Sequence, residues 1–209
     1  MDAKPDGRTG TGETVGAARR TVTRLTDPRA LRAYAHPVRM ALMGLLRSEG
    51  PLTATRAGER LGESSGTCSF HLRQLAKYGL VEEADGGTGR EKPWRATTTS
   101  TSWEPVAEDP EMTAATSMLD TMVAERYFEQ LLLWLERSKD EPAQWRKASL
   151  FGDRILWLNA AELEQLGQRI LALVDEYFGR QTEPELRPPD ARAVTYLHLA
   201  FPAVRPGDP

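Results

Sequence analysis

The stretch that decides the fold of the first half of the chain is LGESSGTCSFHLRQL, residues 61–75. Within it Cys68, Leu72 and Leu75 recur at positions i, i+4 and i+7, so they lie on one face of a helix. The other side of the same helix carries mostly small, polar and basic side chains. The pattern therefore predicts a helix over residues 65–78 that packs through one face and offers the other to a partner.

Three helices are expected before it, each marked by its own start and stop signals. Pro28 follows two candidate N-cap residues, Pro37 opens the next helix, and Gly50-Pro51 ends that helix. Gly62-Glu63-Ser64 then predicts a tight turn in front of the helix at 65–78. The expected helices cover residues 29–34, 37–49 and 54–61.

Two short extended runs follow, at residues 80–84 and 92–97. Asp85-Gly86-Gly87 between them supplies residues that adopt the positive φ of hairpin turns. The order helix, helix, turn, helix, hairpin is that of a winged helix-turn-helix domain. Before it, residues 1–22 are rich in Gly, Thr, Ala and charge without apolar periodicity, and we expect a disordered tail there.

The second half of the chain is expected to follow a polar linker at residues 97–109. A long helix is predicted at 112–139, with an apolar stripe made of Met118, Met122, Phe128, Leu131, Leu132 and Leu135. Apolar runs at 149–158 and 193–201 predict two strands. Asn159-Ala160-Ala161-Glu162 predicts a capping box for a helix that runs to Phe178.

These elements predict an α+β fold in three parts. Residues 1–22 form the tail, 23–100 a helical winged helix-turn-helix domain with a β-hairpin wing, and 101–209 a long helix with a small α/β C-terminal domain. Residues 1–100 hold 16 Lys and Arg against 11 Asp and Glu, a net charge of +5, whereas residues 101–209 carry −8. A basic half joined to an acidic half is typical of a protein with one module that binds a polyanion.

Composition restricts the class of protein further. A chain of 209 residues with 40% hydrophobic residues is long enough for one or two globular domains. No apolar run approaches the roughly 20 residues that span a bilayer, so we expect a cytoplasmic protein. Cys68 is the one cysteine and cannot form an intramolecular disulfide, which fits a reducing compartment. Arginine outnumbers lysine 22 to 5, a bias common in high-GC bacterial genomes.

The helix at 65–78 is predicted to read DNA. In a helix-turn-helix domain the second helix lies in the major groove, with its N-terminal residues at the base edges. Small side chains at its start allow close approach, while Arg73 and Lys77 reach phosphates or a guanine edge, and Arg90 and Lys92 flank them from the wing. The candidate DNA-binding residues are Ser64, Ser65, Gly66, Thr67, Ser69, Phe70, His71, Arg73, Lys77, Arg90 and Lys92. We therefore expect sequence-specific binding of double-stranded operator DNA.

The same residues resemble the ArsR-type winged-helix transcriptional regulators. The resemblance rests on Ala35-His36-Pro37-Val38-Arg39, on residues 61–75 and on Tyr78-Gly79-Leu80-Val81, and it covers about residues 25–95. It implies that the Ser–x–His–Leu–x–x–Leu segment lies in the recognition helix, where His71 has either a phosphate contact or a partly buried structural role. It also implies a homodimeric repressor that releases DNA when an unknown small-molecule effector binds.

The sequence departs from the metal-sensing members of that family. Those members carry paired cysteines on the third helix or Asp/His clusters after the wing, whereas residues 53–60 here hold no thiol or imidazole. The three histidines fall in three different elements, and a metal needs several ligands that converge. We expect no metal and no cofactor. The absence of a Gly-rich phosphate loop, a Gly-x-Ser-x-Gly elbow and a His partner for Cys68 predicts that the protein is not an enzyme.

Two other functions remain open. The winged helix could dock on another protein, with the acidic half as the active surface, or the chain could be a DNA-binding regulator without a small-molecule effector. We expect a homodimer held by the helix at 112–139, because its apolar stripe would otherwise be exposed. The same stripe could also be covered within the chain, by the helix at 159–178 and the two strands.

Overall fold

The computed structural model of the protein describes residues 21–87, 91–104 and 108–203. The chain divides into two compact units between Glu129 and Gln130. Most of the expected disordered tail, residues 1–20, lies outside the described residues, and so does the candidate DNA-binding residue Arg90.

The described residues combine helices with short strands. The helices are α1 (Pro28–Tyr34), α2 (Pro37–Glu49), α3 (Ala54–Leu61), α4 (Ser65–Lys77), α5 (Pro110–Arg137), α6 (Ala143–Ala148), α7 (Ala160–Asp175) and α8 (Gly179–Thr182), with short 3₁₀ turns at Ser138–Asp140 and Pro184–Leu186. The strands are β1 (Val22–Leu25), β2 (Val81–Glu83), β3 (Trp94–Ala96) and β4 (Ser100–Trp103). The mixed class is confirmed, with an N-terminal helix-turn-helix region and a long helix followed by a small domain.

The four predicted helices of the first unit are confirmed, each to within one residue. Side-chain caps fix their starts: Asp27 accepts a hydrogen bond from the backbone N–H of Arg29, and Thr53 accepts one from Arg56. Each cap satisfies a backbone donor that the first turn of a helix leaves unpaired. Local chemistry therefore sets these boundaries, which is why the sequence predicts them well.

Two glycines shape the turn between α3 and α4. Gly62 ends α3 in the left-handed conformation, with φ of 69°, a region that side chains with a Cβ rarely adopt. A Cβ at Gly58 would lie 2.6 Å from the carbonyl oxygen of Glu63, so only glycine permits this close approach. The backbone N–H of Glu63 in turn donates to the carbonyl of Gly58 at 3.0 Å. These contacts set the position of α4 relative to α3.

The predicted wing hairpin is confirmed. β2 and β3 pair antiparallel, with Val81 opposite Ala96. Leu52, just before α3, forms a further antiparallel bridge to Trp94, with backbone hydrogen bonds of 2.8 and 3.0 Å. The wing is therefore tied to the helical part through its backbone.

A second strand pair corrects two predictions. The sequence predicts a linker at residues 97–109 and a disordered tail up to residue 22. In the structure, β1 pairs in parallel with β4, and Val22 lies opposite Ser100. The Arg47 side chain braces this pair from α2, because its Nε donates to the carbonyl of Thr98 at 3.1 Å and its Nη2 to the Thr101 hydroxyl at 2.7 Å. Strands this short, rich in Ser and Thr and 78 residues apart, leave no local periodicity to detect.

The long helix α5 is packed on the core of the first unit near its start and is exposed further along. Near its start, Met112, Ala115 and Leu119 are buried in the core of the first unit, and Met122 packs against that core. The Trp103 indole also donates to the Asp120 carboxylate at 2.8 Å, which joins β4 to α5. Of the predicted stripe, Met122 is thus covered within the chain, whereas Met118 is 48% exposed and Leu131 is half-buried. The later members Phe128, Leu132 and Leu135 are exposed.

The second unit contains the predicted capped helix but not the predicted strands. Asn159 and Glu162 form the expected capping box at the start of α7, which ends at Asp175 rather than at Phe178. The predictions of strands at 149–158 and 193–201 are wrong, because no residue in either segment is in a strand. Their apolar patterns are those of strands, but a strand also needs a ladder partner, and none is provided by the described residues.

Replacing Gly58 by alanine should destabilise the helix-turn-helix. The new Cβ meets a backbone carbonyl that cannot move independently, and overpacking of this kind costs about 1–3 kcal/mol. The matched control is Gly44→Ala on α2, where the Cβ would meet only the end of the Arg126 side chain at 3.4 Å. That variant should gain about 0.5–1 kcal/mol from helix propensity. Urea unfolding measures both, and equal stabilities would contradict the close approach.

Candidate nucleic-acid-binding site

The helix α4 has the two faces that its sequence predicts. Cys68, His71, Leu72 and Leu75 are buried against the core of the first unit. Residues at i, i+4, i+7 and i+11 on the opposite side are exposed, and we call them the exposed face of α4: Gly66, Phe70, Arg73 and Lys77. The candidate residues Thr67 and Ser69 lie between the two faces and are half-buried.

The start of α4 is small, exposed and capped by its own side chain. The Ser64 hydroxyl accepts a hydrogen bond from the backbone N–H of Thr67 at 3.0 Å and lies 2.8 Å from the Thr67 hydroxyl. A Cβ at Gly66 would meet only the Ser64 hydroxyl, at 3.7 Å. Ser64, Ser65 and Gly66 are all exposed, so a bulky partner can approach the helix N-terminus, where backbone N–H groups favour anions.

The basic candidates differ in how free they are. Arg73 is exposed and has no ion pair or hydrogen bond to any of the described residues. The ammonium of Lys77 lies 5.7 Å from the ring of the neighbouring Tyr78. Lys92 on the wing instead binds the Glu83 carboxylate at 2.8 Å, a contact that raises the pKa of Lys92. The freest cation of the three is thus on α4 and not on the wing.

Phe70 is a large apolar side chain in the middle of this polar surface. It is 51% exposed, and its ring meets that of His71 edge-on at 5.2 Å. In protein–DNA complexes, apolar side chains contact thymine methyl groups, and guanidinium groups bond guanine edges or phosphates. The exposed face of α4 therefore carries both kinds of group that read bases.

His71 belongs to a buried cluster that the sequence did not predict. Only 8% of His71 is exposed, and its ring centroid lies 4.4 Å from that of His36 at the start of α2. His36 Nδ1 accepts a hydrogen bond from the backbone N–H of Val38 at 3.2 Å, so this side chain caps α2. Burial and the nearby Arg39 lower the pKa of both imidazoles, and Glu63 opposes this shift. The feature of the sequence that could have indicated this cluster is His36 directly before Pro37, because a proline at the first position of a helix places the preceding imidazole at the N-cap.

The described residues show neither a reactive thiol nor a cluster of metal ligands. Cys68 is fully buried, and burial, followed by the Glu63 charge, raises the pKa of its thiol, so the thiol stays protonated. Within residues 21–87, 91–104 and 108–203, no three His, Cys, Asp or Glu side chains come together as a metal site would require. None of the helices in these ranges combines the length and apolarity needed to cross a membrane.

Comparison with known proteins identifies the same region. A family model described as a helix-turn-helix domain matches residues 34–84, which run from the end of α1 to the residue after β2. No curated protein matches the chain. The matched stretch contains α4 and the turn before it, and a domain of this kind indicates a DNA-binding regulator rather than an enzyme.

Acid should destabilise the protein through His36 and His71. Because the pKa of both is lowered from the ordinary value of 6.5, the folded chain binds fewer protons than the unfolded chain as the pH falls. The free energy of unfolding contributed by the pair is therefore complete above about pH 6.5 and declines as the pH falls through that value towards the folded-state pKa. Urea unfolding at pH 7.5 and 5.5 measures this decline.

A His36→Gln/His71→Gln variant should show a smaller decline between these two pH values than the wild type. His198→Gln, which replaces a histidine of the second unit, is the control and should leave the decline unchanged. An equal pH dependence in wild type and double variant would contradict the role given to the cluster.

Proposed function

We propose that the protein is a sequence-specific transcriptional regulator of the ArsR type that binds operator DNA as a homodimer. In this proposal α4 lies in the major groove and the bound dimer acts as a repressor. Residues 23–100 bind DNA and residues 101–209 hold the two copies together. The observation that carries the proposal is the exposed face of α4, where Arg73 has no ion-pair partner among the described residues and lies about two turns after a small, open helix N-terminus.

The dimensions of α4 suit the groove. Its 13 residues span about 20 Å at 1.5 Å per residue, and a major groove about 12 Å wide admits one helix. The buried face holds the helix to the core of the domain, so the exposed face is rigidly presented. A rigid helix orders few side chains on binding, which limits the entropic cost of recognition.

Each candidate residue then has a specific role. Arg73 binds a guanine edge or a phosphate, Lys77 a phosphate, and Phe70 a thymine methyl group. Ser64, Ser65 and Gly66 leave the N-terminus of α4 open to a phosphate, and Thr67 and Ser69 contribute hydroxyls near the base edges. Arg90 and Lys92 on the wing bind phosphates of the DNA backbone beside the groove. His71 supports the helix from its buried side, a structural role rather than a direct contact.

The wing supports a second candidate function, a protein-interaction module. Its described part carries Glu82, Glu83, Asp85 and Glu91, and the first two bind Arg95 and Lys92. These basic side chains of the wing are already paired with carboxylates. The wing surface is therefore less suited than α4 to binding phosphates. DNA binding by the intact chain separates the two functions, since a module for protein contact needs no affinity for DNA.

Removing the free cations of α4 should weaken DNA binding. Arg73→Ala/Lys77→Ala should bind a 30-bp duplex more weakly, and the slope of log affinity against log salt should become about 1.8 less steep, at about 0.9 for each lost phosphate contact. Lys147→Ala/Arg169→Ala removes the same charges from the second unit and is the matched control. Fluorescence anisotropy at several salt concentrations measures both. The groove assignment fails if the two double variants bind alike.

Freeing the wing lysine should strengthen DNA binding. Glu83→Gln breaks the ion pair with Lys92 and removes one negative charge, so Lys92 becomes available to a phosphate. We expect a higher affinity and a salt dependence steeper by about 0.9. Glu185→Gln, an exposed change in the second unit, is the control for charge alone. No difference between the two variants would show that Lys92 does not contact DNA.

The homodimer is supported by the later part of α5. Phe128, Leu132, Leu133 and Leu135 are each more than 40% exposed. By contrast, Met112, Ala115, Leu119 and Met122 earlier in the helix pack on the core of the first unit. A contiguous apolar surface of this kind usually marks an interface. A dimer would also present two copies of α4 to half-sites about one helical turn of DNA apart.

Charged residues on this part of α5 should separate the two copies. Phe128→Glu/Leu132→Glu should remain folded, because both side chains are exposed, but should sediment as a monomer and bind DNA more weakly. Leu186→Glu, an equally exposed leucine outside α5, should stay dimeric. The proposed interface is excluded if the double variant and the control sediment alike.

A further inference from the structure

The second unit lacks a core of its own. Among described residues 130–203, Gly179 alone is buried. The helix α7 has an apolar stripe at helical spacing, formed by Leu163, Leu166, Ile170 and Val174, yet none of its residues is buried. A folded unit that covers so little apolar surface gains too little from burial to offset the entropy of ordering its chain. It therefore needs a partner that covers it.

The largest exposed apolar groups lie in the two segments that were predicted to be strands. Leu150 is 93% exposed, Trp157 86% and Phe201 70%. The full set of exposed large side chains in these segments is Leu150, Phe151, Ile155, Leu156, Trp157, Leu158, Val194, Tyr196, Leu199 and Phe201. The segments, residues 149–158 and 193–201, are also nearly equal in length, as two paired strands would be.

The backbone of both segments is free for pairing. Residues 150–158 and 192–203 make no backbone-to-backbone hydrogen bond with any described residue. Free N–H and C=O groups in a row are a template for an added strand. The side chains already follow the two-residue period of a strand at one place, since the rings of Tyr196 and His198 stack on the same side with centroids 6.0 Å apart.

The side-chain pattern also indicates where each segment lies in a sheet. Residues 149–158 place Phe151, Ile155 and Trp157 on one side and Leu156 and Leu158 on the other, a pattern typical of a strand covered on both faces. Residues 193–201 place Leu197, Leu199 and Phe201 on one side and Val194 and Tyr196 on the other. Both segments therefore carry apolar side chains on two faces, as strands that are covered on both sides do.

We propose that a second copy of the chain pairs with these segments, so that residues 149–158 of one copy form a ladder with residues 193–201 of the other. A two-fold axis then repeats the ladder, and the two copies share one sheet under the α7 helices. This inference rests on the homodimer in the proposed function and names its contact surface. Each copy carries both segments, so two chains related by a two-fold axis form two such ladders. The assembly is then closed, and no segment is left unpaired.

The exposed area is sufficient for a stable dimer. Each of the four aromatic side chains in the segments buries about 150–250 Å² when fully enclosed, and all four are more than half exposed. They alone supply more than half of the about 800 Å² per partner that stable interfaces bury. The six aliphatic side chains and the stripe of α7 supply the rest.

Hydrogen exchange of the intact protein, without DNA, tests the pairing directly. At 50 μM, where we expect a dimer by sedimentation, amides of residues 150–158 and 193–201 should exchange at least tenfold more slowly than in a sample diluted until it is monomeric. Trp157→Asp/Leu199→Asp should sediment as a monomer and lose this protection, while α4 keeps its own. Leu186→Asp is the matched control and should behave as the wild type.

Three results would overturn the inference. They are a wild type that is monomeric at 50 μM, a dimer in which these amides stay unprotected, and protection that persists in the monomer, which would mean that the segments pair within one chain. The measurement involves no DNA. A protein that passes it but fails to bind DNA would refute the proposed function alone. A DNA-binding dimer in which these amides stay unprotected would refute only the shared sheet, whereas a monomeric wild type would refute the proposed homodimer as well.

Discussion

The first unit depends on the packing of one helix face. Cys68, Leu72 and Leu75 of α4 are completely buried, and they meet Leu42 and Met43 of α2 in the same core. This contact fixes the rotation of α4 about its axis, because a rotation that exposed the three side chains would lose their burial free energy. The direction of Arg73 and Phe70 follows from it. Their exposure is a consequence of what lies on the other side of the helix.

Contacts from three neighbouring parts of the domain hold α4 in position. Gly58 and Gly62 bring α3 close enough to set the angle of α4, and the Leu52–Trp94 bridge joins the wing to the helices. The His36–His71 contact adds a polar pair at the buried edge of α4. Both imidazoles remain neutral near pH 7 because burial and Arg39 lower their pKa, so the pair packs without adding charge to the core.

The sequence predicted what local chemistry determines. Helices α1 to α4 were predictable because an N-cap or a proline starts each of them and glycines end α2 and α3, and the hairpin because Asp85-Gly86-Gly87 favours a turn. The β1–β4 pair was missed because its strands are short, polar and far apart in sequence. The segments at 149–158 and 193–201 have the pattern of strands, but no described residue of the chain pairs with them. Pairing is a non-local property that no periodicity reveals.

The two units therefore solve different problems. The first buries a continuous apolar core, whereas the described residues of the second leave most of their apolar side chains and a run of backbone groups uncovered. In the proposed dimer, the second unit would gain stability from association and the first unit would gain recognition from being present twice.

Selection from a library of random DNA duplexes tests most directly whether α4 reads sequence. If it does, the intact protein should enrich an inverted repeat whose half-sites are centred about 10 bp apart, or a multiple of that distance. The Arg73→Ala variant should lose preference at specific base pairs of each half-site and keep the spacing. Enrichment of no motif, or of the same motif by wild type and variant, would contradict the assignment of α4 as the recognition helix.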